Sequence, residues 1–399
     1  MKTEQPTLGR RGTLIFLAMI SAFPPLSTDL YLPALPTMVK TLNTTESMIS
    51  LTLSSYFIVY ALGLLFWGPL SEKYGRKPIL LIGIISYVAA STLCAFSMSI
   101  ESLIGFRVLQ AFGGAAVTVV ATAIMKDLYN GREREKIMAT VMSLVVISPM
   151  LAPVIGALLL KITTWQVVFM VMGIFGIITL FAALGLVETL PTRYEGSVFR
   201  SWSRLGVVMK NPDFVHLLAV FSIAPMAMMA FLAAGPYIYI DRFGFTEQEF
   251  SYIFAFNALF ASFGPRAYIK IVRYLSSEKI IKGCFIILTA CGLLTYTIGD
   301  TSPWALVAIL AMATLGTVTT RVPGTNLMLN QQEHDTGSAV AIIQFTAMIS
   351  GSVGMLLVSV GSLSLIKNLG LIQLSIGFLS GLLWLSWLRK SQTGYAVHD

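Results

Sequence analysis

Long apolar runs alternate with short charged connections along the whole chain of 399 residues. Twelve runs reach spanning length, at about 13–36, 46–70, 77–98, 101–125, 136–160, 165–187, 214–240, 248–269, 280–299, 303–329, 337–362 and 368–388. About 20 apolar residues rising 1.5 Å each cross a hydrocarbon core, so each run predicts a transmembrane helix. The ten-residue alternating segments of an outer-membrane barrel are not the pattern here. Pro24, Pro25, Pro149, Pro153, Pro225 and Pro236 fall inside runs. Neighbouring helices in a membrane bundle can satisfy the backbone groups they free, so the helical reading stands.

Composition fits that reading. The chain is 56% hydrophobic and 12% charged, with a mean hydropathy of +0.78. A soluble chain would carry about 25% charged residues. The net charge of +8 raises nucleic acid as a partner, but the cations are dispersed through short loops rather than gathered in a patch. Nucleic acid is therefore not expected, and the lipid bilayer is. Cys94, Cys284 and Cys291 sit in apolar runs and read as small core residues. No cleavable signal is expected, because the first run is too long and leads straight into further structure.

Lys and Arg set the orientation. With the N-terminus inside, the cytoplasmic segments hold twenty, and the opposite side holds Lys40, Lys161, Arg242 and Lys367. Twenty against four predicts that both termini are cytoplasmic. The longest connection, residues 188–213, divides the chain into an N-terminal half (1–187) and a C-terminal half (214–399) of six spans each. It is charged and partly amphipathic around Val198 to Met209, which predicts an interfacial helix.

Between spans two and three stands "GPLSEKYGRKP", Gly68 to Pro78. Gly68 and Gly75 permit a tight loop, and Glu72, Arg76 and Lys77 place both signs of charge at the membrane edge. On its own this is an ordinary positive-inside loop. The string nonetheless resembles the G-x-L-x-D-R-x-G-R-R/K signature of the major facilitator superfamily, with Glu72 for the usual aspartate. "FRVLQAFGGAA" (Phe106 to Ala116) resembles the R-x-x-Q-G pattern of span four, with Ala111 for its glycine. "SPMLAPVIGAL" (Ser148 to Leu158), holding Pro149, Pro153 and Gly156, resembles the antiporter motif of span five, with Ala157 where a second glycine is usual. "STDLYLPALP", "MKDLY", "FLAAGPYIYI" and "YIFAFNALF" resemble the bicyclomycin/chloramphenicol-resistance (Bcr/CflA) branch of the drug:proton antiporters. The connection between spans eight and nine lacks a second G-R-R copy, and "TTRVPGTN" (Thr319 to Asn326) is unusual for span ten.

The resemblance implies an all-α membrane protein, with two six-helix bundles that rock about a central cavity. It implies that Gly68, Glu72, Gly75, Arg76, Lys77 and Asp127 form a cytoplasmic latch. In it Glu72 meets the start of span eleven near Thr336 and Gly337, and Arg76 meets Asp127. Small residues at Gly113, Gly114, Ala115, Gly156 and Ala157 would let helices cross closely. Tyr31, Tyr56, Tyr60, Gln110, Tyr237 and Asn257 are candidates to line the cavity, although tyrosine in a span more often packs or anchors.

Asp29 in "LSTDLYLPALP" is the only acid well inside any of the twelve runs. A charge there costs roughly 2.5–3.5 kcal/mol on insertion scales. Counted from Pro36, Asp29 lies roughly 10 Å below the outer surface, and Arg107, counted from Glu101, roughly 9 Å. The matched depth pairs them, either as an inert lock between helices or as a proton-coupling site. The second reading is preferred, since desolvation and a nearby guanidinium act on the carboxyl in opposite senses, letting it take and release a proton as the cavity changes facing. Arg321, roughly 27 Å along span ten, reads better as snorkelling to the inner surface.

"QQEHD" (Gln331 to Asp335) reads as a solvated turn, and neither metal nor cofactor is expected. His216, His334 and His398 stand in unrelated places, so an enzyme is not expected. The chain therefore reads as a monomeric, multi-pass carrier of the bacterial cytoplasmic membrane, exchanging small drug-like molecules for protons. A proton-coupled carrier of purines, amino acids or dipeptides on the same fold is the alternative.

Overall fold

The computed structural model describes residues 5–190, 198–332, 336–360 and 363–395. Residues 191–197 of the predicted linker, most of the "QQEHD" turn, and His334 and His398 lie outside them. Every regular element among the described residues is helical.

The first span is broken. Helix α1 (Gly9–Ser21) gives way at Ala22 to α2 (Phe23–Asp29), a 3₁₀ turn (Leu32–Ala34) and α3 (Leu35–Thr41). Proline has no N–H, so Pro24 and Pro25 leave the carbonyls of Ile20 and Ser21 without their helical donors, and Pro33 does the same to Asp29. The helices α4 (Glu46–Tyr74), α5 (Arg76–Ala95), α6 (Ile100–Leu128), α7 (Gly131–Leu160) and α8 (Trp165–Leu184) follow. Then come α9 (Val198–Val208), α10 (Pro212–Ser222) and α11 (Pro225–Pro236), which runs into a π turn (Tyr237–Arg242). The last five are α12 (Glu247–Ile271), α13 (Ser277–Ile298), α14 (Pro303–Leu329), α15 (Thr336–Val358) and α16 (Leu365–Tyr395).

Helix starts follow local chemistry. Thr45 accepts the Met48 N–H, Ser99 and Ser102 form a reciprocal capping pair, and Asn211 accepts from Asp213 and Phe214. Pro212, Pro225 and Pro303 open their helices, where a missing N–H costs nothing.

Ten helical stretches among the described residues are long and apolar enough to cross a membrane, the broken first span (Gly9–Thr41) and Pro212–Arg242 each counting as one. The runs predicted at 136–160 and 248–269 fall on α7 and α12, of which only Ile147–Leu160 adds a shorter apolar helix.

The helices gather into two compact units. One comprises Met1–Trp202 with Phe245–Ala255, the other Ser203–Gly244 with Phe256–Asp399. In the first, α4, α5 and α6 pack on one another, α8 lies on α5, and α7 runs beside α2. In the second, α13 pairs with α14 and α16, and α11 with α15. Phe221, Phe285 and Trp384 hold its core, beside Val208 from α9.

Candidate functional site

Arg107 is fully buried in the first unit, and its charge is held by hydrogen bonds and aromatic faces. Nη1 donates to the Ser27 carbonyl at 2.9 Å and to Gln110 Oε1, and Nη2 donates to the Tyr31 hydroxyl at 3.3 Å. The guanidinium carbon lies 4.6 Å from the Tyr31 ring centroid, 4.3 Å from that of Tyr56 and 5.8 Å from that of Phe169. Aromatic faces carry partial negative charge, so a desolvated cation here gains about 2 kcal/mol or more. A second layer fixes these partners. Gln110 Nε2 donates to Ser91 Oγ at 2.7 Å, the Tyr31 hydroxyl hydrogen-bonds Thr52 Oγ1 at 3.0 Å, and that of Tyr87 bonds Ser27 Oγ at 2.7 Å. Tyr60 stacks on Tyr56 with centroids 6.0 Å apart.

Asp29 ends α2 and is 6% exposed. Thr28 Oγ1 lies 2.9 Å from Asp29 Oδ1 and 3.0 Å from the Pro24 carbonyl. No ion pair joins Asp29 to Arg107 among the described residues, which corrects the pairing inferred from matched depth. The reason is azimuthal. Ser27 and Tyr31, four apart, face α6 together, whereas Asp29, two residues from each, is turned roughly 200° around the helix. Rise per residue sets depth but not which neighbour is met.

The span-five motif touches this segment. α7 continues through Pro149 and Pro153, and Gly156 is buried against the Leu30 carbonyl. A Cβ at Gly156 would fall on that oxygen.

The string from Gly68 to Pro78 departs from the expected loop. Gly68 lies inside α4, where a Cβ would meet only Val119 at an ordinary 3.9 Å. The turn is the single residue Gly75, with φ of +108°. Arg76 Nε donates to Asp127 Oδ2 at 3.0 Å and its Nη1 to Ser71 Oγ at 2.7 Å, so the structure brings together the pair that the resemblance implied. Lys77 Nζ caps the end of α8 at the Leu184 carbonyl, 2.9 Å away. Glu72 is exposed and makes no hydrogen bond or ion pair among the described residues.

The carboxylate that holds this turn is Glu188, which the motif reading did not single out. Its Oε1 accepts the N–H groups of Arg76 (3.0 Å), Thr189 (2.9 Å) and Leu190 (3.0 Å), and its Oε2 that of Lys77 (3.2 Å). It thus sits on the positive end of α5, a placement worth about 1 kcal/mol and up to ~2 when partly buried. A Cβ on Gly75 would come 2.5 Å from Glu188 Oε2, a second reason for glycine there. Thr189 Oγ1 adds a 3.4 Å bond to Asp127 Oδ2. The available signal was position: Glu188 is the first acid after Glu135, just where the apolar run of span six ends.

The remaining candidates lie in the second unit. Tyr237 is buried in the π turn, and Asn257 is buried on α12. Met228, Phe231, Thr314, Thr317 and Gln373 line a small cavity, and Gln373 Oε1 accepts from Thr295 at 3.1 Å. Arg321 is exposed near the end of α14.

Comparison with known proteins agrees with this architecture. The family model of the Major Facilitator Superfamily matches residues 15–355. The chain is 32% identical over 361 residues to an uncharacterized transporter of this type, YdgK of Bacillus subtilis (strain 168), covering 88% of this chain and 89% of that one. It is 30% identical over 359 residues to a chloramphenicol resistance protein of Pseudomonas aeruginosa, covering 87% and 84%. It is 28% identical over 300 residues to a bicyclomycin resistance protein homolog of Haemophilus influenzae, covering 70% and 74%. The crystal structure of a D-xylose-proton symporter superposes with a TM-score of 0.74 over 93% of this chain and 96% of that one. At 12% identity that likeness speaks for the fold alone.

Proposed function

The chain belongs to the major facilitator superfamily, in its bicyclomycin/chloramphenicol-resistance branch, and on that premise we propose a proton-coupled multidrug efflux antiporter. It exports small amphipathic compounds, mostly neutral or zwitterionic, by alternating access across a bacterial cytoplasmic membrane. It acts as a monomer of twelve spans with both ends in the cytoplasm, as the asymmetry of Lys and Arg supports.

One observation supports the coupling: Asp29 is a buried acid whose one side-chain partner among the described residues is a hydroxyl, while the Arg107 cation in the same unit is held by other groups. The Thr28 hydroxyl supports either protonation state. It donates to the carboxylate when Asp29 is charged, and when Asp29 is protonated it accepts from the acid and donates to the Pro24 carbonyl instead. A proton taken from the outer side is released to the cytoplasm as a drug leaves. The buried guanidinium of Arg107 repels cations, which favours neutral and zwitterionic cargo.

With one such acid, one proton enters per cycle. Exchange for a neutral drug carries one net charge inward, and each charge crossing 100 mV is worth about 2.3 kcal/mol. Exchange for a monocation moves none. Glu72, Arg76 and Asp127, with Gly68, Gly75 and Lys77, serve as the cytoplasmic latch.

Two experiments test the reading. A drug-susceptibility panel in an efflux-deficient bacterium expressing the chain should show raised resistance to amphipathic compounds. No change across the panel would favour metabolite carriage instead. Proteoliposomes at a fixed pH gradient, with the potential set by potassium and valinomycin, should show potential-driven export of neutral drugs only. Potential-driven export of a monocation, or efficient export of a dication, would require a second proton site.

A further inference from the structure

Among the described residues, nothing polar except Thr28 grips the Asp29 side chain, so the backbone of α2 sets where this carboxyl sits. That backbone ends in an unusual way. Beyond Asp29 the helix stops, because Pro33 brings no N–H and Ala34 donates to Tyr31 rather than to Leu30. The Leu30 carbonyl, one peptide beyond the acid, is therefore left without a hydrogen bond among the described residues. It abuts Gly156, near the C-terminal end of α7. No residue with a side chain fits at 156, since a Cβ would overlap the oxygen itself, and backbone on either side of the contact cannot swing away as a flexible side chain can. A Cα–H group facing a carbonyl oxygen at this range also supplies a weak hydrogen bond.

We infer that Gly156 is a positioning residue for proton coupling, acting by seating the Leu30–Tyr31 peptide, next to the acid, against α7 and so fixing the depth and surroundings of Asp29. This rests on the proposed role of Asp29 as proton carrier. The antiporter-type motif thereby gains a physical task at its glycine: movement of α7 is felt at the peptide that follows the acid-bearing residue and its neighbour Leu30. Among the described residues, the charged and titratable groups facing α2 are Arg107 from α6, Tyr56 from α4 and Tyr87 from α5, with Tyr31 just beyond the helix itself. The described side chains of α7 from Ile147 to Leu160 include none. A pH effect of substitution at 156 therefore reports displacement of Asp29 among those groups, not a new charge.

The test is proton-driven drug export by purified protein in proteoliposomes across a range of internal and external pH, with drug binding in detergent measured in parallel. Gly156→Ala is expected to lower export about ten-fold and to move the pH midpoint by about half a unit or more, with drug affinity changed less than about three-fold. A role in helix packing alone would lower thermal stability and leave the midpoint in place, which overturns the inference. Should Gly156→Ala not reach the membrane, Pro33→Ala decides. It lets span one rewind and draws the Leu30 carbonyl into the helix, away from α7, without touching residue 156. Its midpoint should also move, and an unchanged midpoint overturns the inference. Asp29→Asn separates the two levels: if export driven by the pH gradient survives it, the proton-carrier reading falls, whatever happens at Gly156.

Discussion

The two units bury polar groups in different ways. Every buried charged side chain among the described residues, Asp29, Arg76 and Arg107, lies in the first unit. The second buries neutral groups only: Asn257, Gln373, the threonines at 295, 314, 317, 319 and 320, and serines 222, 352 and 380. Burying a charge costs far more than burying an amide or hydroxyl, and the cost is tolerated where the charge has a task or a full set of partners. Under the proposed function, this division is the reason to propose coupling in the first unit and neutral hydrogen bonding to varied cargo in the second. Thr295 and Gln373 satisfy each other with no ion involved.

The sharpest way to break this contrast is to remove the acid. Asp29→Asn keeps shape and burial but cannot titrate, so export driven by a pH gradient should fall at least about a hundred-fold while the protein still inserts and binds drug. Retained gradient-driven export in proteoliposomes would end the assignment of coupling to the first unit.

Arg107→Lys comes next. An ammonium cannot reproduce the flat, forked contacts to Ser27, Gln110 and the two tyrosine rings. Each buried acceptor left unpaired costs about 1–3 kcal/mol, so a thermal melt should show clear destabilisation as well as impaired export. Wild-type melting would mean the cluster is looser than its geometry implies.

Glu188→Ala should act at the Gly75 turn and lower turnover about ten-fold, by releasing the start of α5 and loosening Arg76 from Asp127. Drug binding in detergent should hold within about three-fold. Glu72→Ala, at an exposed side chain, should alter the cysteine accessibility of the outer side if the latch proposal is right. A Glu188 variant with normal turnover would show that the Arg76–Asp127 pair holds the turn unaided.

The smallest effect is expected in the second unit. Gln373→Leu should change relative drug resistance about two- to five-fold between compounds, with the pH profile unaltered, because no charge is involved. A shifted pH profile in this variant would bring coupling into both units and erase the contrast.

Much of this molecule was legible in one dimension. Apolar runs of spanning length predict helices because an unsatisfied backbone is intolerable in hydrocarbon, so the ten predicted spans found as long apolar helices among the described residues needed no knowledge of neighbours. A lone acid in such a run marks itself for the same reason, and Asp29 and Arg107 stood out at once. The signature string pointed to Arg76 and Asp127, 51 positions apart, which the fold joins.

What sequence distance does not encode is azimuth and close approach. Equal depth suggested an Asp29–Arg107 pair, yet the turn of α2 gives Arg107 the Ser27 carbonyl and the face of Tyr31 instead. Gly68 read as part of a loop, but only the left-handed Gly75 turns the chain, and Gly68 remains helical. Glu188 holds that turn from 113 positions beyond Gly75, and Gly156 meets Leu30 from 126 away. Solvation is a local cost that each segment meets for itself, so the sequence alone determined which segments enter the membrane and which charges are exceptional there. The partner of each exceptional group depends on rotation and packing among distant helices, and only the tertiary structure decided it.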